Sequence, residues 1–160
     1  MSTINKMPDH ARIWVYQSTR VFTPEEEAFI SEQLTHFTNQ WAAHGQQLAA
    51  TFSIELDQFI VLAVDESMHQ ASGCSIDASV HVIKHIEQHT GLTLLDRSKV
   101  AYMDGEQVGV QPFNAMKKAI AEGIIKKDTI IFNNAIQNTG EWKSNWKQAA
   151  SESWLKRFFV

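Results

Sequence analysis

The residues best suited to chemistry lie in segment 64–77, where an apolar stretch leads through a polar loop into a helix start. Cys74, the only cysteine of the chain, falls in the first turn of that helix. Backbone N–H groups are unpaired at a helix start, so a thiolate or a bound anion is stabilised there. The sequence therefore predicts a reactive thiol or an anion-binding loop. The small and polar neighbours expected to contact the ligand are Ser72, Gly73, Ser75 and Asp77.

A nucleophilic cysteine also needs a base and further polar partners. His44 and His69 are the histidines that could serve as this base if the fold brings either within reach. Asp65 and Glu66 directly follow the apolar stretch, and open sheets often present functional groups at strand ends. Cys74, Asp65, Glu66 and His44 are therefore the candidate catalytic residues of a small enzyme.

A purely structural interpretation accounts for the same residues. Cys74 then packs as a small buried hydrophobe, while Ser75 or Asp77 caps the helix. Asp65 and Glu66 are then ordinary polar residues at a strand end, although together with Asp77 they could bind a divalent cation. The sequence leaves both interpretations open, favours the structural one, and predicts neither a bound metal nor a cofactor.

Three histidines recur every four residues in the same helix, at His81, His85 and His89. This spacing can chelate a transition metal on a helical surface. At about 100° per residue, however, the histidines lie roughly opposite the apolar residues of the helix and face solvent. We therefore expect surface histidines and no buried metal site.

Composition bounds the class of protein. The 160 residues are 44% hydrophobic and carry a formal net charge of −4, which is typical of one ordinary globular domain or two small ones. No run approaches the roughly 20 apolar residues of a membrane span, and the polar start does not resemble a secretory signal. One cysteine suits the reducing cytoplasm, where we expect this protein. Basic residues cluster only weakly, which disfavours nucleic-acid binding.

Strand and helix signals alternate through residues 1–97. Residues 11–17 are rich in β-branched and aromatic side chains and predict a first strand. Thr23-Pro24-Glu25-Glu26 combines a cap, a helix-start proline and a capping-box glutamate, so it predicts the start of a helix. The apolar stripe of this helix reaches Trp41, and we expect the helix to end near His44-Gly45.

Two strands are expected next, at residues 48–56 and 59–64, joined by a turn at Asp57-Gln58. The second is almost continuously apolar, which is typical of a central strand buried on both faces. A helix then spans residues 76–89 and ends at Thr90-Gly91. The residues expected on its buried face are Ile76, Val80, Ile83 and Ile86.

The C-terminal part predicts a hairpin around Met103-Asp104-Gly105, a helix over residues 112–122, a strand over 129–132 and a Trp-rich tail with a terminal helix. Residues 99–147 resemble the bacterial variety of GYF domain. The resemblance rests on a D-G-x-x-x-G turn after the first strand, an E-G-x-I exit from the helix, and a following D-T-x-x-W motif in which Phe132 replaces the tryptophan.

The GYF resemblance implies a peptide-binding surface. Members of that family can bind proline-rich peptides in an aromatic-lined groove, which pre-ordered segments enter at low entropy cost. Tyr102 and Phe132 fall where the family often places aromatic residues, and Trp142 or Trp146 is similar to the aromatic residue of its tail. The resemblance therefore implies a proline-rich peptide or a protein as partner.

The whole chain is also similar to a group of small bacterial proteins of unassigned function, some of which carry the label of ABC-transporter ATPase. A G-x-x-x-x-G-K-[ST] loop is absent from the sequence, so we reject that label. The segments that carry the similarity are Trp41-Ala42-Ala43-His44-Gly45, Val64-Asp65-Glu66-Ser67, Ser72-Gly73-Cys74-Ser75-Ile76-Asp77, Phe132-Asn133-Asn134 and Ser153-Trp154-x-x-Arg157-Phe158.

Two further groups have two interpretations each. The side-chain amides of Asn133 and Asn134 could hydrogen-bond a ligand, but asparagine pairs more often end strands in turns, and we favour the turn. Trp142, Trp146 and Trp154 are more typical of a core or a docking surface than of a ligand cage, because aromatic residues bury a large area.

The sequence predicts an α+β fold, with an N-terminal sheet flanked by two helices and a small C-terminal GYF-like unit. The order strand–helix–strand–strand–helix fits a ferredoxin-like sandwich, whose missing strand would come from residues 98–103. The GYF-like hairpin competes for the same residues. We divide the chain into two domains, residues 1–97 and 98–160. The alternative is that both parts form one continuous domain.

Two classes of function remain. The favoured one is a cytoplasmic binding or adaptor protein that recognises a peptide or protein through Tyr102, Phe132, Asn133 and Trp142, or through the loop 72–75. The alternative is a small enzyme or anion-binding domain centred on Cys74, whose ligand is a small anion.

Overall fold

The computed structural model describes residues 3–159 and begins with a short 3-10 helix, Thr3–Lys6. The N-terminal part then forms an antiparallel sheet with a helix after its first strand and another after its last. Its strands and helices are β1 (Arg12–Gln17), α1 (Pro24–Gln40), β2 (Ala42–Ala43), β3 (Gln46–Gln47), β4 (Ala49–Glu55), β5 (Phe59–Asp65) and α2 (Gly73–Thr90). The main sheet has the order β1–β5–β4, and β2 pairs only with β3.

The start of α1 confirms the predicted capping box. The hydroxyl of Thr23 accepts the backbone N–H of Glu26 at 3.1 Å, and the Glu26 carboxylate accepts the backbone N–H of Thr23 at 2.8 Å. The predicted end is wrong, because α1 ends at Gln40 and His44-Gly45 forms the turn between β2 and β3. Trp41 follows the helix in an extended conformation, and its buried indole donates a hydrogen bond to the Ser75 carbonyl at 2.8 Å.

The central position of β5 is confirmed. Every residue from 59 to 64 is fully buried, and the side chains of residues 59 to 63 alternate between two hydrophobic clusters on opposite faces of the sheet. The predicted turn before β5 is also confirmed, with a shift of one residue: Leu56 and Asp57 take the left-handed backbone that a tight hairpin requires, with φ of 52° and 53°.

Helix α2 starts three residues earlier than predicted. Its cap is Ser72, whose hydroxyl accepts the Ser75 N–H at 3.2 Å, while the Ser75 hydroxyl accepts the Ser72 N–H at 2.7 Å. Ser75 and Ser79, not Ile76 and Val80, supply the first two turns of the buried face. The predicted end is confirmed, since Gly91 caps the helix with a φ of 77°.

The C-terminal part forms a second antiparallel sheet. Its elements are β6 (Lys99–Asp104), β7 (Gln107–Pro112), α3 (Met116–Ala121), β8 (Ile130–Phe132), α4 (Thr139–Asn145) and β9 (Lys147–Ala149), with 3-10 helices at Phe113–Ala115, Ala150–Glu152 and Trp154–Phe158. The strand order is β7–β6–β8–β9. Residues 98–103, one candidate for the missing strand of the first sheet, therefore belong to the hairpin β6–β7 instead.

The two sheets pack against each other and share one core. The cluster between them contains Val15 and Phe59 from the first sheet and Ala101 and Phe132 from the second. Helices α1 and α2 cover the outer face of the first sheet, and α3 with the last 3-10 helix covers the outer face of the second. The predicted α+β class is confirmed; the boundary proposed at residues 97 and 98 falls in the loop between α2 and β6.

Within residues 3–159, no helix combines the length and the apolar character that crossing a lipid bilayer requires.

The three histidines of α2 are exposed, as predicted, and the ring of His89 stacks on Phe29 with centroids 3.9 Å apart.

Candidate functional site

The segment around Cys74 forms a well-capped helix start. Cys74 is an exposed free thiol, so the interpretation of this residue as a buried hydrophobe is wrong. Ser72 and Ser75 bond to each other in the capping box, and Asp77 is exposed on the first turn. Within residues 3–159, no hydrogen bond or ion pair joins Cys74 to a histidine; His44 lies in the turn between β2 and β3.

Asp65 and Glu66 stabilise the loop that leads to α2. The Asp65 carboxylate accepts hydrogen bonds from the Ser67 hydroxyl at 2.5 Å and from the Ser67 backbone N–H at 3.0 Å. These bonds lower the pKa of Asp65. Glu66 accepts the N–H of Ala71 at 2.7 Å and lies 3.8 Å from the Arg12 side chain. Among residues 3–159, no three His, Cys, Asp or Glu side chains are arranged to hold a metal ion.

The three aromatic residues predicted to form the GYF-like peptide surface are buried. Tyr102, Phe132 and Trp142 are 4%, 5% and 7% exposed, so they do not form the open groove that the resemblance implies. The Tyr102 ring lies directly over Gly109, where an added Cβ would come within 2.6 Å of it. Trp142 stacks on Trp146 with centroids 4.1 Å apart, which confirms the core interpretation for these two tryptophans.

A cleft of about 910 Å³ lies between β1 and the second sheet. One wall is β1 itself, and the opposite wall is the chain that follows β8. The loop before β6 and the 3-10 helices near Phe113 and Trp154 complete the lining. The residues that line it include Arg12, Trp14, Val15, Gln17, Asp96, Arg97, Lys99, Phe113, Phe132, Asn133, Asn134, Ala135, Gln137 and Trp154.

The cleft exists because β1 is an edge strand. In its antiparallel ladder with β5, the main-chain groups of alternate residues point away from the sheet. Ile13 N–H donates outward to the Gln137 carbonyl at 3.1 Å, and Thr139 N–H donates to the Ala11 carbonyl at 3.0 Å. Beyond this bridge, residues 133–136 form no ladder with β1, and the cleft lies beside this edge of the strand.

The other end of the edge is held by side chains. Arg97 donates to the Val15 carbonyl at 2.8 Å, and the Gln17 amide donates to the Lys99 carbonyl at 3.0 Å. Between the two ends, the Ile13 carbonyl and the Val15 N–H point away from β5 and have no hydrogen-bond partner within residues 3–159, and the two residues are 3% and 1% exposed. These are an acceptor and a donor in the arrangement that an added strand recognises.

Asn134 connects the two sheets beside the cleft. Its amide donates to Gln17 at 2.7 Å and accepts the Trp146 indole N–H at 3.0 Å. The side chain of Asn133 accepts the N–H of Ala135 at 3.1 Å, which is a turn contact. The turn interpretation of this pair is therefore confirmed for Asn133, while Asn134 has a structural role that the sequence did not indicate.

Positive charge dominates the cleft. Arg12 lies near Glu66, and Lys99 lies 3.9 Å from Asp96, the acidic residue of the lining. The guanidinium of Arg97 lies 5.2 Å from the centre of the Tyr16 ring, and within residues 3–159 no carboxylate approaches it to 4.0 Å. Arg97 is exposed, so its charge faces the cleft without a protein counter-ion.

Two aromatic rings form the rim of the cleft. Phe113 and Trp154 stack with centroids 5.0 Å apart and an interplanar angle of 8°. They are 56% and 42% exposed, among the most exposed large apolar residues that the structure describes. An exposed stacked pair beside a cleft is typical of a surface that contacts a ligand.

Most of this site was missed at the level of sequence. Arg97, Lys99, Trp14 and Phe113 were not singled out, since none belongs to a recognisable motif. Phe132, Asn133 and Trp154 were singled out, but for other arrangements. No protein-family model matches the chain, and no curated protein or solved structure is significantly similar to it.

Proposed function

We propose that this chain is a binding protein that holds an extended peptide segment of a partner protein in the cleft beside β1. The observation that carries the proposal is a pair of main-chain groups on the edge of β1, the Ile13 carbonyl and the Val15 N–H. They have no hydrogen-bond partner within residues 3–159 and border a cleft of about 910 Å³. Peptides that add to a sheet edge gain affinity from such main-chain groups and specificity from the pockets around them.

The walls of the cleft support a peptide as ligand. An added strand lies about 4.8 Å from its neighbour, so a peptide paired with β1 would lie in the cleft between β1 and residues 133–136. The exposed pair of Phe113 and Trp154 offers apolar area for a side chain of the peptide. Cys74, the centre of the alternative enzyme hypothesis, is not among the residues that line the cleft.

Selection from a random peptide library displayed on phage tests the proposal. The variant Ala135→Trp places a large side chain in the cleft at an exposed position, so it should fill the site without disturbing the core. Ala28→Trp, at an exposed position on α1, is the matched control. Peptides enriched on the wild-type protein should bind Ala135→Trp at least about tenfold more weakly and Ala28→Trp equally well.

Two results would refute the proposal. One is a library that yields no enriched peptide on the folded wild-type protein. The other is a set of enriched peptides whose affinity for Ala135→Trp equals that for the wild type, because these peptides then bind outside the cleft.

A further inference from the structure

We infer that the peptide bound in this cleft is acidic, and that Arg97 recognises one of its Asp or Glu side chains. This inference rests on the proposed function and adds the chemistry of the partner. It starts from the charges of the cleft lining, which contains Arg12, Arg97 and Lys99 but only one carboxylate, that of Asp96.

The three cations are not equivalent. Arg12 lies 3.8 Å from Glu66, and Lys99 lies 3.9 Å from Asp96, so each already has a counter-ion. The guanidinium of Arg97 has no carboxylate within 4.0 Å among residues 3–159. Its partners are a neutral carbonyl and an aromatic ring, and neither compensates its charge.

The side chain of Arg97 is also held in place before any ligand arrives. One of its N–H groups donates to the Val15 carbonyl at 2.8 Å, and the guanidinium lies 5.2 Å from the centre of the Tyr16 ring. A guanidinium has five N–H donors, so the remaining ones are available to bind both oxygens of a carboxylate. Because the guanidinium is already fixed in the free protein, binding a carboxylate costs less side-chain conformational entropy.

The guanidinium of Arg97 lies where it can contact a side chain of a strand added to β1. The carbonyl that Arg97 holds belongs to Val15, whose own N–H is one of the two unpaired groups on the edge of β1. When one peptide residue bonds to this edge, the side chain of a peptide residue one or two positions away can reach the guanidinium, because neighbouring strands lie only about 4.8 Å apart. An acidic side chain there completes the ion pair that Arg97 lacks.

The test uses pools of random decapeptides with amidated C-termini, whose fifth position is fixed as Asp, Glu, Asn, Gln or Lys. Affinities are measured on the wild type, Arg97→Gln, Arg97→Lys and Arg97→Glu. Arg157→Glu, an exposed arginine outside the cleft lining, is the matched control. Thermal unfolding by circular dichroism shows which variants are folded, and Arg97→Lys preserves the charge if Arg97→Gln does not fold.

The wild type should bind the Asp or Glu pool about tenfold more tightly than the matching amide pool. Arg97→Gln should remove this preference, Arg97→Lys should retain part of it, and Arg97→Glu should favour the Lys pool. Arg157→Glu should leave the preference unchanged. High salt should weaken the preference, since the pair lies at an open cleft.

Equal affinity for the acidic and amide pools would overturn the inference. If the binding were still weakened by Ala135→Trp, the proposed function would remain supported. The same pools are also made with free C-termini. Binding that requires the free C-terminus would overturn the inference, because the carboxylate bound by Arg97 would then be the chain end. If no pool binds, or if free glutamate alone competes fully, the proposed function fails together with the inference.

Discussion

Replacing Asn134 by alanine should destabilise the protein because this amide is shared by two residues with little access to water. Trp146 is 3% exposed and donates its indole N–H to Asn134, while Gln17 is 8% exposed and accepts from it. A buried polar group left without a partner costs about 1–3 kcal/mol. Water in the cleft can reach Gln17 more easily than Trp146, so we expect a total loss of about 2–3 kcal/mol.

Urea unfolding followed by tryptophan fluorescence measures this loss, with an unchanged denaturant slope as evidence that the native state is intact. Asn145→Ala, at an exposed position at the end of α4, should change stability by less than about 0.5 kcal/mol. In a Trp146→Phe background, Asn134→Ala should cost about 1 kcal/mol less, because the indole donor is already gone. A loss below about 0.5 kcal/mol, or an equal loss in both backgrounds, would refute the reasoning.

Three further predictions concern Gly109, Glu27 and Cys74. Gly109→Ala should cost about 1–3 kcal/mol in urea unfolding, because its Cβ would lie 2.6 Å from the Tyr102 ring; a neutral effect would contradict this packing. A hydrogen bond with Asp57, then burial, raises the pKa of Glu27 from 4.5 to about 6, so the native state holds this proton more tightly than the unfolded state. Stability should therefore fall by about 1 kcal/mol, after solvent screening, as the pH rises from 4.5 to 6, and Glu27→Gln should remove this slope. The exposed thiol of Cys74 should react with iodoacetamide in the native protein at a rate near that in urea; protection until unfolding would contradict its exposure.

Local signals predicted the elements that short-range chemistry determines. The capping box at Thr23 and Glu26 and the glycine cap at Gly91 need only neighbouring residues, so the sequence was sufficient for them. The continuous apolar run of β5 likewise requires burial on both faces. The start of α2 was misplaced because Ser75 and Ser79 form its buried face there, and apolar periodicity does not detect serine.

The cleft depends instead on contacts between distant segments. Gln17 bonds the Lys99 carbonyl across 82 positions, and Asn134 bonds Gln17 across 117. No local pattern encodes such pairs. The aromatic residues were recognised, but only packing decides that Trp142 is buried while Trp154 is 42% exposed at the rim. The sequence therefore indicated several of the aromatic and amide residues near the cleft, but not the long-range contacts that arrange them.

The most direct test of the central claim is the amide signal of Val15 in a ¹⁵N-labelled NMR titration with a peptide enriched on the wild type. Strand addition at β1 predicts that the Val15 N–H, which has no hydrogen-bond partner within residues 3–159 of the free protein, forms a hydrogen bond, so that its signal shifts. The amide of Trp14, which points to β5, should change less. A peptide that binds tightly and leaves the Val15 amide unaffected would contradict strand addition at β1.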